Sequence, residues 1–321
     1  MIVSLIVATF FFALNIFPTK FMAKIQNIMV IFLIAALSAF IVFGLPKVQS
    51  GYFSQPGFIT HGFTGLIAAS AFLTFATFGA NSIFQLSGEC KNPKKDIPFV
   101  LILATLTVAV LYAFVATVAA GVLPVDQVAN ENLAKVAQTI LSRPLYLFFI
   151  VGGALGALAT SLNATIAWVT KPLIQACEDG WFPKKLAYLH PKYKTPVLLL
   201  GIFYLVTIIP IILKIDMALI TNSVLVIMYV FMMITSLATT RLPELFPEQW
   251  AKSPFHVSKG VLWACCILST VVLIIQVYYN ASSLTPGLLI ANITLLAAGF
   301  IYSFLRYKTG KVKMDISYED N

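Results

Sequence analysis

The run Phe78-Gly79-Ala80-Asn81-Ser82 sets a glycine and two hydrogen-bonding side chains near the middle of an otherwise apolar stretch, Gly62 to Ser87. Gly is about 1 kcal/mol worse than Ala in a helix, and Asn and Ser offer the backbone competing local bonds, so the spacing predicts a helix broken at bilayer depth. A break releases peptide donors and acceptors that lipid cannot satisfy. Such groups persist where they face a cavity or a polar guest, which makes the chemistry that of binding. The competing reading is that Gly79 permits close helix packing and Asn81 bonds a neighbouring helix. A second polar set, Thr160, Ser161 and Asn163, falls within about one turn of another apolar run. It lines a pathway or joins helices, the latter helped by Gly152 and Gly156 at small-xxx-small spacing. Enzyme chemistry would need intramembrane acids, histidines or a nucleophile with its base, and His61, His190 and His256 all fall in or beside loops.

The elements that position these residues follow from composition. Of 321 residues 60% are apolar and 10% charged, too little polar surface to coat a soluble globule. About nine apolar runs are expected to be membrane-spanning helices. They are Met1 to Phe17, Ile25 to Leu45, Gly62 to Ser87, Pro98 to Leu123, Leu145 to Ile174, Pro196 to Leu213, Met217 to Thr240, Val261 to Tyr279 and Gly287 to Leu305. They lack the alternation of barrel strands, so the fold class is all-α and polytopic. The first run has no basic residue before its apolar stretch and ends at Ile16-Phe17-Pro18, which reads as a span and not a signal peptide. Of the 21 Lys and Arg, 17 fall in loops on one side and 4 on the other. That asymmetry puts the C-terminus in the cytoplasm and, with an odd span count, the N-terminus of this chain outside. The net charge of +9 thus marks cytoplasmic loops, and with no basic helix or phosphate loop a nucleic-acid partner is not expected. Cys90, Cys177, Cys265 and Cys266 suggest no disulfide framework or metal site.

The segment Ser87-Gly88-Glu89-Cys90-Lys91-Asn92-Pro93-Lys94-Lys95-Asp96-Ile97-Pro98, following a broken apolar helix, resembles the sixth helix and next loop of amino acid-polyamine-organocation (APC) permeases. Ser161-Leu162-Asn163, Glu178-Asp179-Gly180-Trp181-Phe182-Pro183 and Leu189-His190-Pro191-Lys192-Tyr193-Lys194-Thr195-Pro196 resemble that family's eighth helix and its loop into the ninth. The resemblance covers essentially the whole chain but begins at the family's fourth helix. It implies a partial LeuT-like inverted-repeat fold without helices one to three: residues 1–45 as the end of the first repeat, 62–240 as the second, 261–305 as two additional helices and 306–321 as a cytoplasmic tail. Met22-Ala23-Lys24-Ile25-Gln26-Asn27 and Met217-Ala218-Leu219-Ile220-Thr221-Asn222 give a faint internal echo of the repeat.

The resemblance further implies a secondary transporter or exchanger of amino acids or related amines in the plasma membrane. It places the substrate against Phe75, Phe78, Gly79, Ala80 and Asn81, with Asn163 and Ser223 as further contacts and Thr160 and Ser161 as ion ligands of the kind some relatives use. Freed carbonyls there would accept from an ammonium group while an aromatic ring packs the side chain. Two positions depart from the family: Asn81 stands where many members carry a Glu or Asp, and Leu33 where some proton-coupled ones carry a Lys. No Asp, Glu or His falls at mid-span, so exchange, facilitated movement and sodium coupling stay open and no cofactor is expected. Without the first helix the substrate site is half built, and the chain alone is not expected to transport. The alternative is a structural or regulatory membrane subunit. Val125 to Ser142 is amphipathic, an outer lid or a surface helix. The tail is expected to be solvated, and Asn280-Ala281-Ser282 matches a glycosylation sequon.

Overall fold

In lipid a peptide group has no water to turn to, so each apolar run must close its own hydrogen bonds. The computed structural model describes residues 2–17, 19–54, 58–59, 61–129, 131–253 and 255–313, and among them there is helix and no strand. In chain order the helices are α1 (Ile2–Leu14), α2 (Thr19–Gly44), α3 (Gly62–Thr77), α4 (Pro93–Gly121), α5 (Val125–Val128), α6 (Leu133–Ile140), α7 (Arg143–Phe148), α8 (Gly156–Val169), α9 (Lys171–Glu178), α10 (Val197–Leu213), α11 (Met217–Thr239), α12 (Leu242–Leu245), α13 (Pro247–Lys252), α14 (Lys259–Ser282) and α15 (Pro286–Lys308). Among the described residues six stretches are long and apolar enough to span a bilayer: Ala23–Lys47, Pro93–Gly121, Arg143–Glu178, Met217–Thr239, Lys259–Ser282 and Pro286–Lys308. Ile2–Leu14, Gly62–Ala71 and Val197–Leu213 are shorter apolar helices. Each expected run thus has a helical counterpart in an all-α, multi-pass membrane protein.

Two runs depart from α geometry, the first of them at the expected break. A 3-10 segment, Phe78–Glu89, follows α3, and a π segment, Phe149–Leu155, joins α7 to α8. The chain divides into two compact units: residues 1–58, 79–214 and 306–321 form the first, and 59–78 and 215–305 the second.

In the first unit, Ala36 and Phe40 of α2, Val115 and Val118 of α4, Val136, Ala137 and Ile140 of α6, and Phe149 form a buried core. The amphipathic 125–142 stretch therefore turns its apolar side onto protein: α6 is seated on α2 and α4, capped at its start by the Asn132 side chain and at its end by Lys47 Nζ, which donates to the Ile140 carbonyl at 3.1 Å. Asn130 lies outside the described residues. The π segment brings Gly152 and Gly153 against α2, where a Cβ would stand 3.5 Å from the Phe32 carbonyl oxygen or 3.4 Å from Ala36 Cβ. Gly156, expected to share that role, meets only its own helix at Val151. A second core joins Phe11 and Phe12 of α1 to Ile166 of α8 and Leu200 of α10. Beyond α2, Tyr52 packs edge-on against Phe53 and Phe58, and burial raises its hydroxyl above the usual tyrosine value, leaving it a donor at physiological pH.

The described part of the tail is docked, contrary to the expected solvated end. Helix α9 finishes in a Schellman motif, with Trp181 N–H donating to the Ala176 carbonyl at 2.9 Å and Gly180 N–H to that of Cys177 at 3.2 Å, and Gly180 at φ +90°. Onto this turn come Arg306 Nε, which donates to the Gly180 carbonyl at 2.9 Å, and the Lys313 amide, which donates to that of Asp179 at 2.9 Å. A Cβ on Gly180 would collide with the Lys311 carbonyl oxygen. Gly180→Ala meets that collision as well as a backbone cost of about 1 kcal/mol or more for a left-handed alanine. Trypsin is expected to cut at Lys311 and Lys313 at least several times faster in the variant, read by mass spectrometry; equal rates would show the tail is not held there. Residues 314–321 lie outside the described set.

In the second unit, Leu225 and Tyr229 of α11 pack on Leu273 of α14. Asn280 is buried inside α14, with Nδ2 donating to the Gln276 carbonyl at 2.8 Å. A glycan cannot be attached to an amide so enclosed. The sequon is a chance match.

Candidate functional site

The α-helical geometry of α3 ends at Thr77, and Phe78–Glu89 continues in 3-10 geometry. The switch falls where the sequence placed the break, but its form differs: the chain tightens instead of unwinding. In a 3-10 helix each N–H reaches the carbonyl three residues back, the rise grows to about 2.0 Å per residue, and runs beyond three or four residues are uncommon. Twelve residues of it is long. Gly79 lacks the side chain that would favour the α form, and Ser82 Oγ donates to the Gly79 carbonyl at 2.8 Å, supplying the local competing bond. Peptide groups expected to be bare are thus partly satisfied within the segment.

Gly79 is exposed, and a Cβ built on it meets nothing within 4 Å among the described residues. Helix packing therefore does not require a glycine here, and its φ is not among the positive ones. Ala80 and Asn81 are half-buried on the same segment. The side chains of Phe75 and Phe78 lie outside the described set, although their backbones bracket the switch.

Within the second unit α3 is clamped up to the turn before the switch. Tyr229, fully buried, donates its hydroxyl to the Ala71 carbonyl at 3.1 Å, and Gln276 Nε2 donates to Thr74 Oγ1 at 3.0 Å. The division between the two units runs between Phe78 and Gly79.

The α8 set divides. Asn163 is 2% exposed, accepts from Asn15 Nδ2 at 3.2 Å and donates to Gln26 Oε1 at 2.9 Å, while Gln26 Nε2 donates to the Thr160 carbonyl at 3.2 Å. Three amides thereby tie α8 to α2 and to the end of α1. Thr160 is buried, with its hydroxyl donated to the Ala157 carbonyl at 3.0 Å, and Ser161 points outward, exposed. Ser223 Oγ donates to Asn292 Oδ1 at 2.7 Å, an α11–α15 pair. The structure gives Asn163 and Ser223 helix-joining partners. Asn15 and Gln26, which complete the network, sit at the ends of apolar runs, where a polar residue reads as a boundary; Gln276 lies within its run, and one amide there carries no signal of its partner.

The 189–196 motif is a structural turn. His190 Nδ1 accepts from the amides of Lys192 at 3.2 Å and Tyr193 at 3.3 Å, its ring stacks on Tyr193 at 5.0 Å, and its backbone N–H donates to the Thr195 carbonyl at 2.8 Å. Thr195 Oγ1 donates to the Ile16 carbonyl at 3.0 Å, fixing the entry to α10 against the end of α1.

A family profile described as amino acid permease matches residues 1–300. The chain belongs to that family. Among curated relatives of this amino acid permease chain, the branched-chain amino acid permease BcaP of Bacillus subtilis is 31% identical over 175 residues, 54% of this chain and 37% of the relative. The methylthioribose transporter of the same organism is 28% identical over 173 residues, 54% and 37% of the two chains. The serine/threonine exchanger SteT, also from Bacillus subtilis, is 25% identical over 201 residues, 61% and 45%. The matches span less than half the length of these relatives.

Proposed function

We propose that this protein works as a secondary transporter or exchanger of amino acids or related amines in the plasma membrane, with its C-terminus in the cytoplasm. The observation that carries the reading is the change from α to 3-10 geometry at Phe78 beside a glycine whose front is open. A glycine at a place where neither packing nor φ asks for one suits a site at which a guest approaches the backbone closely. Gly79, Ala80 and Asn81 would meet the substrate's polar groups, and Phe75 and Phe78 its side chain. From Val48 to Gly88 the sequence holds no Asp, Glu, Lys or Arg, which suits a substrate whose side chain has no net charge. The names of BcaP and SteT, for branched-chain amino acids and for serine and threonine, point the same way, whereas a cationic amino acid transporter of Arabidopsis thaliana and an aspartate-proton symporter of Bacillus subtilis, which are also similar to this chain, are named for charged substrates. Thr160 and Ser161 would contribute to ion binding through the exposed Ser161 hydroxyl. Asn163 and Ser223 would act by bracing the helices of their own units.

The test is uptake and counterflow of radiolabelled amino acids in proteoliposomes that carry this protein. Saturable movement competed by neutral amino acids more than by lysine or aspartate is the expected result. Absence of saturable movement for every amino acid and amine would overturn the reading.

A further inference from the structure

One cavity lies away from the 3-10 switch, in the first unit. It is an open groove of about 530 Å³ lined by Lys185, Tyr188, Val197 and Leu198. Its walls come from a short 3-10 turn, Lys184–Ala187, and from the first turn of α10, and the His190 turn between them sets their spacing. The groove's lining is mostly apolar, and its one charged side chain is Lys185. Lys184, Lys185, Lys192 and Lys194 crowd this loop, and no Asp or Glu occurs between Asp179 and Asp216 to neutralise them.

The groove is continuous with an apolar face of α10. Leu198, Ile202, Leu205, Ile209 and Ile212 recur at helical spacing and are all exposed, whereas Leu199 and Leu200 are buried and Leu200 packs into the core with α1. Over the 14 helical steps from Leu198 to Ile212 that stripe runs about 21 Å, longer than the roughly 15 Å hydrocarbon depth of one leaflet. An apolar track leading to a cationic mouth with a tyrosine at its edge has the profile of an acyl chain ending in an anionic headgroup.

We propose that this groove binds an anionic phospholipid, with its phosphate at Lys185 and Tyr188 and one acyl chain along the Leu198–Ile212 face. The lipid would press on the loop that joins α9 to α10. The site is distinct from the proposed substrate path and does not depend on transport.

The test is native mass spectrometry of the delipidated full chain in detergent, with dioleoyl phosphatidylglycerol or dioleoyl phosphatidylcholine added back. The expected result is one retained phosphatidylglycerol, bound at least ten-fold more tightly than phosphatidylcholine. Lys185→Gln is expected to weaken it about ten-fold, Leu198→Trp to abolish it by filling the groove, and Lys259→Gln, at an exposed lysine elsewhere, to leave it unchanged. Equal retention of the two lipids, or retention indifferent to both groove variants, would overturn the proposal. So would a dimer present without lipid and lost in Leu198→Trp, which would show that the groove receives a second copy of the chain.

Discussion

Gly79→Leu is expected to reduce substrate affinity by at least about 100-fold while the protein folds normally. A hundred-fold loss corresponds to about 2.7 kcal/mol, and a leucine at this place would produce it by occupying the volume a bound amino acid needs beside the backbone. A Cβ at Gly79 meets no described atom within 4 Å, so the added side chain starts into open space. Away from packed features a substitution typically changes stability by no more than about 0.5 kcal/mol. Gly79→Ala should lie between, at roughly ten-fold on the same scale. Two measurements check this: the melting temperature in detergent, and the affinity for a labelled neutral amino acid by scintillation proximity. A leucine variant that binds as the parent does would remove Gly79 from the site, and one that fails to fold would show that the space in front of it is filled.

The second large effect is expected at Asn163, and it is one of stability. Its carboxamide accepts from Asn15 and donates to Gln26, and both Asn15 and Asn163 are buried. Asn163→Leu keeps the branched shape but leaves one N–H of Asn15 and the Oε1 of Gln26 unpaired, although Asn15 still donates to the Phe11 carbonyl and Gln26 to that of Thr160; each lost partner costs about 1–3 kcal/mol where none replaces it. The melting temperature should fall by several degrees. The double variant Gln26→Leu with Asn163→Leu should cost less than the sum of the single changes, because each removes the partner that the other leaves unpaired. Strict additivity would mean that the two side chains are not coupled. A stable Asn163→Leu protein with weakened amino acid binding would restore Asn163 to the substrate path.

Both predictions turn on the same contrast. Gly79 and Asn163 are each a polar interruption of an apolar run, and the sequence treats them alike. In the folded chain one faces open space and the other is the middle link of three bonded amides. Periodicity cannot separate these cases, because it reports where a residue lies along its helix and not which neighbour has come to lie opposite.

The Tyr229 and Gln276 bonds to α3 add a mechanical element to the first prediction. Both bonds lie ahead of Thr77, so they fix the helix on one side of the change in geometry and leave the 3-10 segment to respond. Substrate contact at Gly79 to Asn81 would then act next to an anchored helix end, which is a favourable place to convert binding into movement.

By itself, the amino-acid sequence determined the solvent, the secondary structure and the position of the irregular span. Bilayer physics makes those properties local: each apolar run must satisfy its own peptide groups, and a glycine followed by Asn and Ser weakens the α form wherever it stands. The motifs at 87–98, 178–183 and 189–196 were likewise sufficient to reveal the family. What only the tertiary structure decided is the identity of partners. That Asn163 is committed to Asn15 and Gln26, that α6 docks on α2 and α4, and that the tail lies on the Gly180 turn all depend on contacts between residues far apart in the chain. A hydrogen bond has a short reach and a required direction, so its existence is settled by where two helices come to rest and by nothing either helix carries alone.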